Sequence, residues 1–151
     1  MEWRAEALLD GEEVEEPARG EHHRDPRIGI PEVPDFLDQI VAAAGNPEDY
    51  REIVFCGLGE PTLRLYALLE VATRLRPRAR RIRLNTDGLA NLVYGRDVTP
   101  DMEGLIDALS VSLNAQNEEV YNLHCRPKLP GAWGAMLDFV KHARDFVPEI
   151  T

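Results

Sequence analysis

The alternation of two kinds of apolar segment is the feature that most restricts how this 151-residue chain can fold. Short, continuous apolar runs are typical of buried strands, whereas apolar residues repeated at helical spacing are typical of packed helices. The strand-like runs are residues 53–56, 82–84 and 108–113, and the helical stripes are residues 34–44, 65–75 and 133–144. Strands that alternate with helices pair in parallel through right-handed crossovers, so the sequence predicts an α/β fold.

Local signals refine two of the helices. In the helix at 34–44, which Gly45 ends, we expect the buried face to consist of Phe36, Leu37, Ile40, Val41 and Ala44. A brief helix is expected to begin at Thr99 as N-cap, with Pro100 at its first helical position. A helical turn at 117–124 and the approach to a further strand at 148–151 complete the pattern.

The stretch IVFCGLGEPT, at residues 53–62, combines a strand with a turn. Because residues 53–56 are apolar without alternation, we expect a strand that is covered on both faces. Cys56 is then a small core residue. Pro61 has no backbone N–H to donate, so the strand should end near it.

The turn after this strand is a candidate binding element. Gly57 and Gly59 lack a Cβ and so allow a ligand to approach the backbone closely. Glu60 then lies at the carboxyl end of a strand, where open α/β sheets and barrels place their sites, and its carboxylate could meet the ammonium group of a ligand. The alternative is a plain strand-to-helix turn in which Glu60 is solvated.

Polar turns follow all three predicted strands. The sequences are GLGEP after the first strand, NTDG after the second and SLNA after the third. Asn85, Asp87, Ser112 and Asn114 are the polar residues of the second and third turns that we select as candidates. Because the carboxyl ends of parallel strands share one edge, we expect the three turns to form one binding rim.

Composition bears on partners and location. The net charge of −10 repels nucleic acids and anionic membrane surfaces, so neither is an expected partner. No apolar run approaches the roughly 20 residues of a membrane span, and the acidic N-terminus lacks the order of a signal peptide. The two cysteines, Cys56 and Cys125, have no paired spacing, which indicates a reducing compartment and a cytoplasmic protein.

Charge also divides the chain. Residues 1–30 are acidic, rich in Glu, Arg, Gly and Pro, and expected to be mostly irregular, whereas residues 31–151 form the predicted α/β domain. The basic run at 76–83 is expected to lie solvated in a helix-to-strand loop, since so short a patch in an acidic chain is a poor sign of an anionic partner.

Four segments of the domain resemble radical S-adenosylmethionine proteins, and most closely the TatD-associated branch of that family. They are IVFCGLGEPT, RIRLNTDGLANLV, DALSVSLNAQNEEVYNLHCRP and GAWGAMLDFVKHAR, in family-like order and spacing over about residues 33–151. Agreement over four segments makes the resemblance specific. It implies an incomplete (β/α) barrel of parallel strands with alternating helices, which binds S-adenosylmethionine across its strand ends.

The resemblance also assigns roles to residues. Glu60, between Gly59 and Pro61, matches the end of the family's Gly-Gly-Glu-Pro motif, which holds the methionine amino group, and Leu58 stands at a motif glycine. Asp87 replaces the Asn of a Thr-Asn-Gly turn. The cofactor-binding residues that we expect are Gly57, Gly59, Glu60, Pro61, Asn85, Asp87, Ser112 and Asn114. The resemblance places Ser112 and Asn114 near the ribose or the methionine carboxylate, with Arg126 as a further candidate partner of that carboxylate.

The chain departs from the family at the iron–sulfur cluster. Family members hold a four-iron four-sulfur cluster with three cysteines, typically spaced CxxxCxxC, and thiolates are required ligands of such clusters. This sequence has no such triplet, so it predicts no metal site of its own.

Three interpretations follow from that departure. The chain is the cofactor-binding part of a longer radical enzyme of unknown substrate, or a degenerate, non-catalytic module that binds S-adenosylmethionine weakly or only mediates interactions, or an unrelated small α/β binding domain. No general acid, base or nucleophile is identified. Unpaired sheet edges favour self-association in each case.

Overall fold

A computed structural model of the chain describes residues 33–57 and 59–151. The predicted irregular segment at residues 1–30 and the motif position Leu58 therefore lie outside the described residues. The described strands are β1 (Ile53–Phe55), β2 (Ile82–Thr86), β3 (Ala108–Val111) and β4 (Glu149–Ile150). The α-helices are α1 (Val33–Ala43), α2 (Leu65–Leu75), α3 (Ala90–Tyr94), α4 (Glu118–Cys125) and α5 (Ala132–Ala143).

The four strands form one parallel sheet in the order β1-β2-β3-β4, which is also their order along the chain. Phe55, Leu84, Leu109 and Ile150 lie side by side across it. Sequential parallel strands joined through helices confirm the predicted α/β class with alternating elements. Because every strand runs the same way, all the strand-end turns lie at one edge of the sheet.

The helices cover one face of this sheet with a continuous apolar core. Every second residue of a strand points to this face, and Leu84 and Leu109 are fully buried there. Leu65 of α2 and Phe139 of α5 close over them without measurable exposure. The helices are therefore held by apolar burial, at roughly 25 cal/mol for each Å² removed from water.

The opposite face of the sheet is not apolar. Its residues include Val54, Arg83, Ser110 and Glu149, and none of them belongs to an apolar core cluster of the described residues. The prediction that residues 53–56 form a strand covered on both faces is therefore wrong, since Val54 is 41% exposed. An apolar run does not distinguish burial on one face from burial on two.

Cys56 also lies elsewhere than predicted. The strand β1 ends at Phe55, and Cys56 is exposed just beyond it. The expectation of a core cysteine in the middle of a strand is therefore wrong, because the glycine turn begins one residue earlier than the apolar run suggests.

Helix α1 packs on α2 through one side of its predicted stripe. Leu37 is buried beside Val71 and Leu75 of α2. The partly buried members of the stripe are Ile40, Val41 and Ala44. Phe36 does not share this face, as its side chain is 54% exposed. Successive residues of a helix differ by 100° in direction, so the stripe that begins at Leu37 leaves Phe36 outside it.

The brief helix before β3 is a 3₁₀ turn, Thr99–Met102. Thr99 is its first residue and donates both its N–H, at 3.0 Å, and its hydroxyl, at 2.7 Å, to Asp97 Oδ1. The prediction of Thr99 as the N-cap is therefore wrong, because the acceptor is the carboxylate two residues earlier.

Two strand ends also differ from prediction. β2 runs two residues past its predicted end, because Thr86 pairs with Val111 of β3. β3 stops at Val111, and Leu113 beyond it is 55% exposed.

The turn predicted at 117–124 is the helix α4, whose Asn117 cap accepts a hydrogen bond from the Val120 N–H at 2.9 Å.

The basic run at 76–83 is tied to acidic residues rather than merely solvated. The ion pairs join Arg76 to Asp107, Arg78 to Glu48, Arg81 to Glu52 and Glu149, and Arg83 to Glu52 and Glu149. Most of them are partly exposed and each is worth at most about 1 kcal/mol. In the described ranges, no helix has the combination of length and apolar character that crossing a membrane requires.

Gly88, in the turn after β2, is a position where the fold requires glycine. Its φ is +78°, and an added Cβ would lie 3.0 Å from Met136 Cγ and 3.0 Å from Val111 Cγ1. Gly88→Ala should lower the free energy of unfolding by about 2 to 3 kcal/mol, from left-handed strain plus crowding. Urea denaturation measures this loss.

The matched control for Gly88→Ala is Gly95→Ala. Gly95 also has a positive φ, +65°, but an added Cβ would meet nothing within 4 Å. We expect a loss of about 1 kcal/mol from the backbone strain alone. Equal losses for the two variants would contradict the crowding by Met136 and Val111.

Candidate functional site

The three strand-end turns meet around one open pocket of about 400 Å³. All eight residues selected from the sequence line it: Gly57, Gly59, Glu60, Pro61, Asn85, Asp87, Ser112 and Asn114. Cys56 and Thr86 complete the lining. The volume is in the range of small-molecule sites, roughly 300 to 1,000 Å³.

Glu60 shapes the wall of the pocket next to β1. It precedes the 3₁₀ turn Pro61–Arg64, and its Oε1 accepts hydrogen bonds from the Thr62 N–H at 2.9 Å and the Thr62 hydroxyl at 2.7 Å. Pro61 suits the first position of this turn because it has no N–H that would need an acceptor. Glu60 therefore caps the element that carries the chain from β1 into α2.

The same carboxylate also holds the end of β2. Glu60 Oε1 accepts a third hydrogen bond from the Thr86 hydroxyl, at 2.8 Å, and Oε2 accepts one from the Asp87 N–H, at 2.6 Å. Thr62 and Thr86 are buried, with 1% and 3% of their surface exposed. The alternative of a freely solvated Glu60 is therefore wrong. Oε1 accepts three bonds, whereas Oε2 accepts one and keeps acceptor capacity toward the pocket.

Asp87 places a second carboxyl group beside Glu60. Its Oδ1 accepts a hydrogen bond from the Leu89 N–H at 2.9 Å, which fixes the turn. Burial, with the neighbouring Glu60 carboxylate adding to it, raises the pKa of Asp87 from its ordinary 3.8 to about 6, against the opposing effect of the Leu89 hydrogen bond. Burial also raises the pKa of the Tyr121 hydroxyl, with smaller effects from Cys125 and Asp87.

Three polar side chains of the pocket are free to bind. Asn85, Ser112 and Asn114 are exposed, and their side chains have no hydrogen-bond partner within residues 33–57 and 59–151. Together they offer hydroxyl and amide groups that can both donate and accept. Asn85 lies in β2, and Ser112 and Asn114 follow the neighbouring strand β3.

The two glycines of the first turn have no steric role within the described fold. A Cβ added at Gly57 or at Gly59 would meet nothing within 4 Å. The space beside these two pocket-lining residues is therefore open, as a ligand that approaches the backbone requires.

Several other candidates lie outside the pocket lining. Arg126 follows α4 in a left-handed conformation with a φ of +47°, and Cys125 and His124 lie exposed in the last turn of that helix. No group of three or more His, Cys, Asp or Glu residues is placed to hold a metal ion in the described part of the chain.

Sequence reasoning missed three participants. Thr62 and Thr86 are the buried donors that fix Glu60, and Cys56 lines the pocket. The position of Thr86 immediately before Asp87, in a turn already selected, was a usable signal for one of them. No local signal marked Thr62, because its hydroxyl reaches Glu60, two residues earlier, only through the geometry of the turn between them.

The charge on Asp87 makes the stability of the fold depend on pH. Because its pKa in the folded protein is raised to about 6, its stabilising contribution is present below its ordinary pKa of 3.8 and is lost as pH rises through 6. Asp87→Asn keeps the Oδ1 acceptor and removes the charge. It should raise stability by about 1 kcal/mol at about pH 7.5, discounted for exposure, and do little at about pH 4.

Urea denaturation midpoints at the two pH values test this prediction. Asp97→Asn is the control, because its stability should change in the opposite direction. Burial acts to raise the pKa of Asp97, but hydrogen bonds from Thr99 and Asn91 outweigh it and hold the pKa below its ordinary value. Asp97 therefore stabilises the fold above that ordinary value, and its variant should lose stability at about pH 7.5. If the stability of Asp87→Asn depends on pH as that of the wild-type chain does, the raised pKa of Asp87 is contradicted.

Comparison with protein-family models, with curated proteins and with solved structures gives no match to this chain.

Proposed function

We propose that this chain binds S-adenosylmethionine at the carboxyl edge of its sheet, as the cofactor-binding part of a (β/α) barrel of the radical S-adenosylmethionine type. Two features of the fold support the proposal. The strands are parallel and follow one another in chain order, as in a barrel, and their three polar turns surround one pocket. Three of the four segments that resemble the family contain β1, β2 and β3 with their turns, and the fourth contains α5.

One observation carries the proposal. Asn85, Ser112 and Asn114, whose side chains make no hydrogen bond to another described residue, line the same pocket as Glu60. Polar groups that only stabilise a turn are normally engaged with the turn itself, as Asn117 is at the start of α4. Polar groups from two strands that line one pocket of about 400 Å³ together with a carboxylate fit a small polar ligand.

The chemical character of the pocket suits the cofactor. S-adenosylmethionine carries an ammonium group, a carboxylate, a sulfonium centre and a ribose, and when bound it supplies an activated carbon–sulfur bond. Glu60 would hold the ammonium group through Oε2, its less occupied oxygen. Ser112 and Asn114 would donate to the carboxylate or the ribose, and the open backbone at Gly57 and Gly59 would accept or donate along the ligand.

The residues present do not fit a four-iron four-sulfur cluster. The sequence has two cysteines, and they lie apart on different elements, Cys56 after β1 and Cys125 at the end of α4. A cluster of this type needs three or four thiolates held together. Cys56 and Cys125 therefore cannot hold such a cluster, and no reaction step is assigned to the pocket residues.

A second candidate is a non-catalytic interaction module, and the engagement of Glu60 favours it. Four hydrogen bonds from Thr62, Thr86 and Asp87 account for the carboxylate without any ligand. In that case Glu60 is a structural residue, and β1 and β4, which pair on one side only in the described sheet, would be the edges available for self-association.

Titration calorimetry with S-adenosylmethionine tests the proposal. The wild-type chain should bind it, and the double variant Ser112→Ala/Asn114→Ala should lose about tenfold in affinity, or 1.4 kcal/mol, because two neutral ligand hydrogen bonds are removed. These side chains make no hydrogen bond in the described fold, so the variant should keep wild-type stability. Glu60→Ala is less informative, since it also removes four structural hydrogen bonds.

The matched control is Gln39→Ala, which removes an exposed amide on α1, outside the pocket lining. It should leave the affinity unchanged. Absence of binding to the wild-type chain would contradict cofactor binding and leave the interaction module. Light scattering then decides whether that module self-associates.

A further inference from the structure

The pocket contains an uncompensated negative charge. Among its ten lining residues are two acids, Glu60 and Asp87, and none of the ten is Lys, Arg or His. No ion pair of the described residues involves either acid. A ligand ammonium group would neutralise one of the two charges and leave the other.

The two carboxyl groups are placed to act on one ligand. Glu60 Oε1 already accepts three hydrogen bonds and Oε2 accepts one, whereas Asp87 Oδ1 accepts one from Leu89. A carboxylate has about four acceptor positions, so the remaining capacity is at Glu60 Oε2 and on Asp87. An ammonium group has three donors, more than Glu60 alone can satisfy.

The location of Asp87 makes its charge costly unless a cation approaches. Burial beside another carboxylate is what raises its pKa, and half-buried charges in proteins are normally paired. The turn itself needs only the Oδ1 acceptor for the Leu89 N–H, which a neutral Asn would supply equally well. The negative charge at this position therefore has no role in the described fold.

We propose that Asp87 is a specificity-determining residue, which acts with Glu60 to select ligands of net positive charge over neutral ligands of the same shape. The inference rests on the proposed function and names the property of the cofactor that the pocket recognises. S-adenosylmethionine has a net charge of about +1, because its sulfonium and ammonium groups outweigh its carboxylate, whereas its thioether counterpart S-adenosylhomocysteine is neutral overall. The pocket should hold the first more tightly.

The size of the preference follows from simple electrostatics. Opposite unit charges at a given separation attract several times more weakly in bulk water than near a protein surface. The pocket is open to solvent, so the effect lies nearer the value in water. We therefore expect a preference of about tenfold.

Calorimetric titration of both compounds into the wild-type chain and into Asp87→Asn tests the inference. The wild-type chain should bind S-adenosylmethionine about tenfold more tightly than S-adenosylhomocysteine. Asp87→Asn should bring that ratio close to one, because both ligands lose a contact to their shared ammonium group and only S-adenosylmethionine also loses the attraction of its sulfonium charge. Ser112→Ala is the control, since loss of a neutral hydroxyl should weaken both ligands by a similar factor and keep the ratio.

Each other outcome contradicts a different statement. An unchanged ratio in Asp87→Asn would overturn the role of Asp87 and leave the selectivity to Glu60. Equal affinities in the wild-type chain would overturn the selection by charge, while cofactor binding stands. If neither compound binds, the proposed function fails, and the selectivity that rests on it fails too.

Discussion

The carboxylate of Glu60 is the group on which the structure at the carboxyl ends of the strands depends. It accepts hydrogen bonds from the 3₁₀ turn that follows β1 and from the residues that end β2. Two chain segments about 25 residues apart are thus fixed to one side chain. The glycines of the first turn can then remain open, because the geometry of the pocket is set by this side chain and not by packing around them.

The structure distributes charge along the strands in a definite way. At the start of the strands, arginines from the 76–83 run meet acidic partners such as Glu52 and Asp107, and the charges balance. At the end of the strands, two carboxyl groups meet with no basic residue in the pocket lining. The described residues therefore leave two acidic side chains without a basic partner where the polar turns converge, and the proposed preference for cationic ligands depends on this pair.

The sequence predicted those features that depend on local pattern. The stripe at 65–75 coincides with α2, and the convergence of three turns follows from parallel strands alone. The pattern could not show that Val54 is exposed, because coverage of the second face depends on neighbours in space. Phe36 was wrongly included in the buried face of α1 for a related reason. Whether a residue at the edge of an apolar stripe is buried depends on the position of the partner helix.

The chemical state of the site was harder to predict than its members. All eight selected residues line the pocket, yet the bonds of Glu60 to Thr86 and Asp87 span 26 and 27 residues of sequence. The raised pKa of Asp87 comes chiefly from burial, with a smaller contribution from Glu60, and both depend on the folded arrangement. Residue types identify which groups reach a strand end, whereas their protonation and remaining acceptor capacity depend on three-dimensional contacts.

On the face of the sheet away from the helices, the arrangement of charged side chains depends on the small size of Ala108. In register it lies between Arg83 of β2 and Glu149 of β4, whose side chains approach to 4.0 Å. A methyl group is short enough to leave the space above the middle strand clear for them. A branched or aromatic side chain at position 108 would separate Glu149 from Arg83. The ion pair across these three strands therefore depends on the small volume of Ala108.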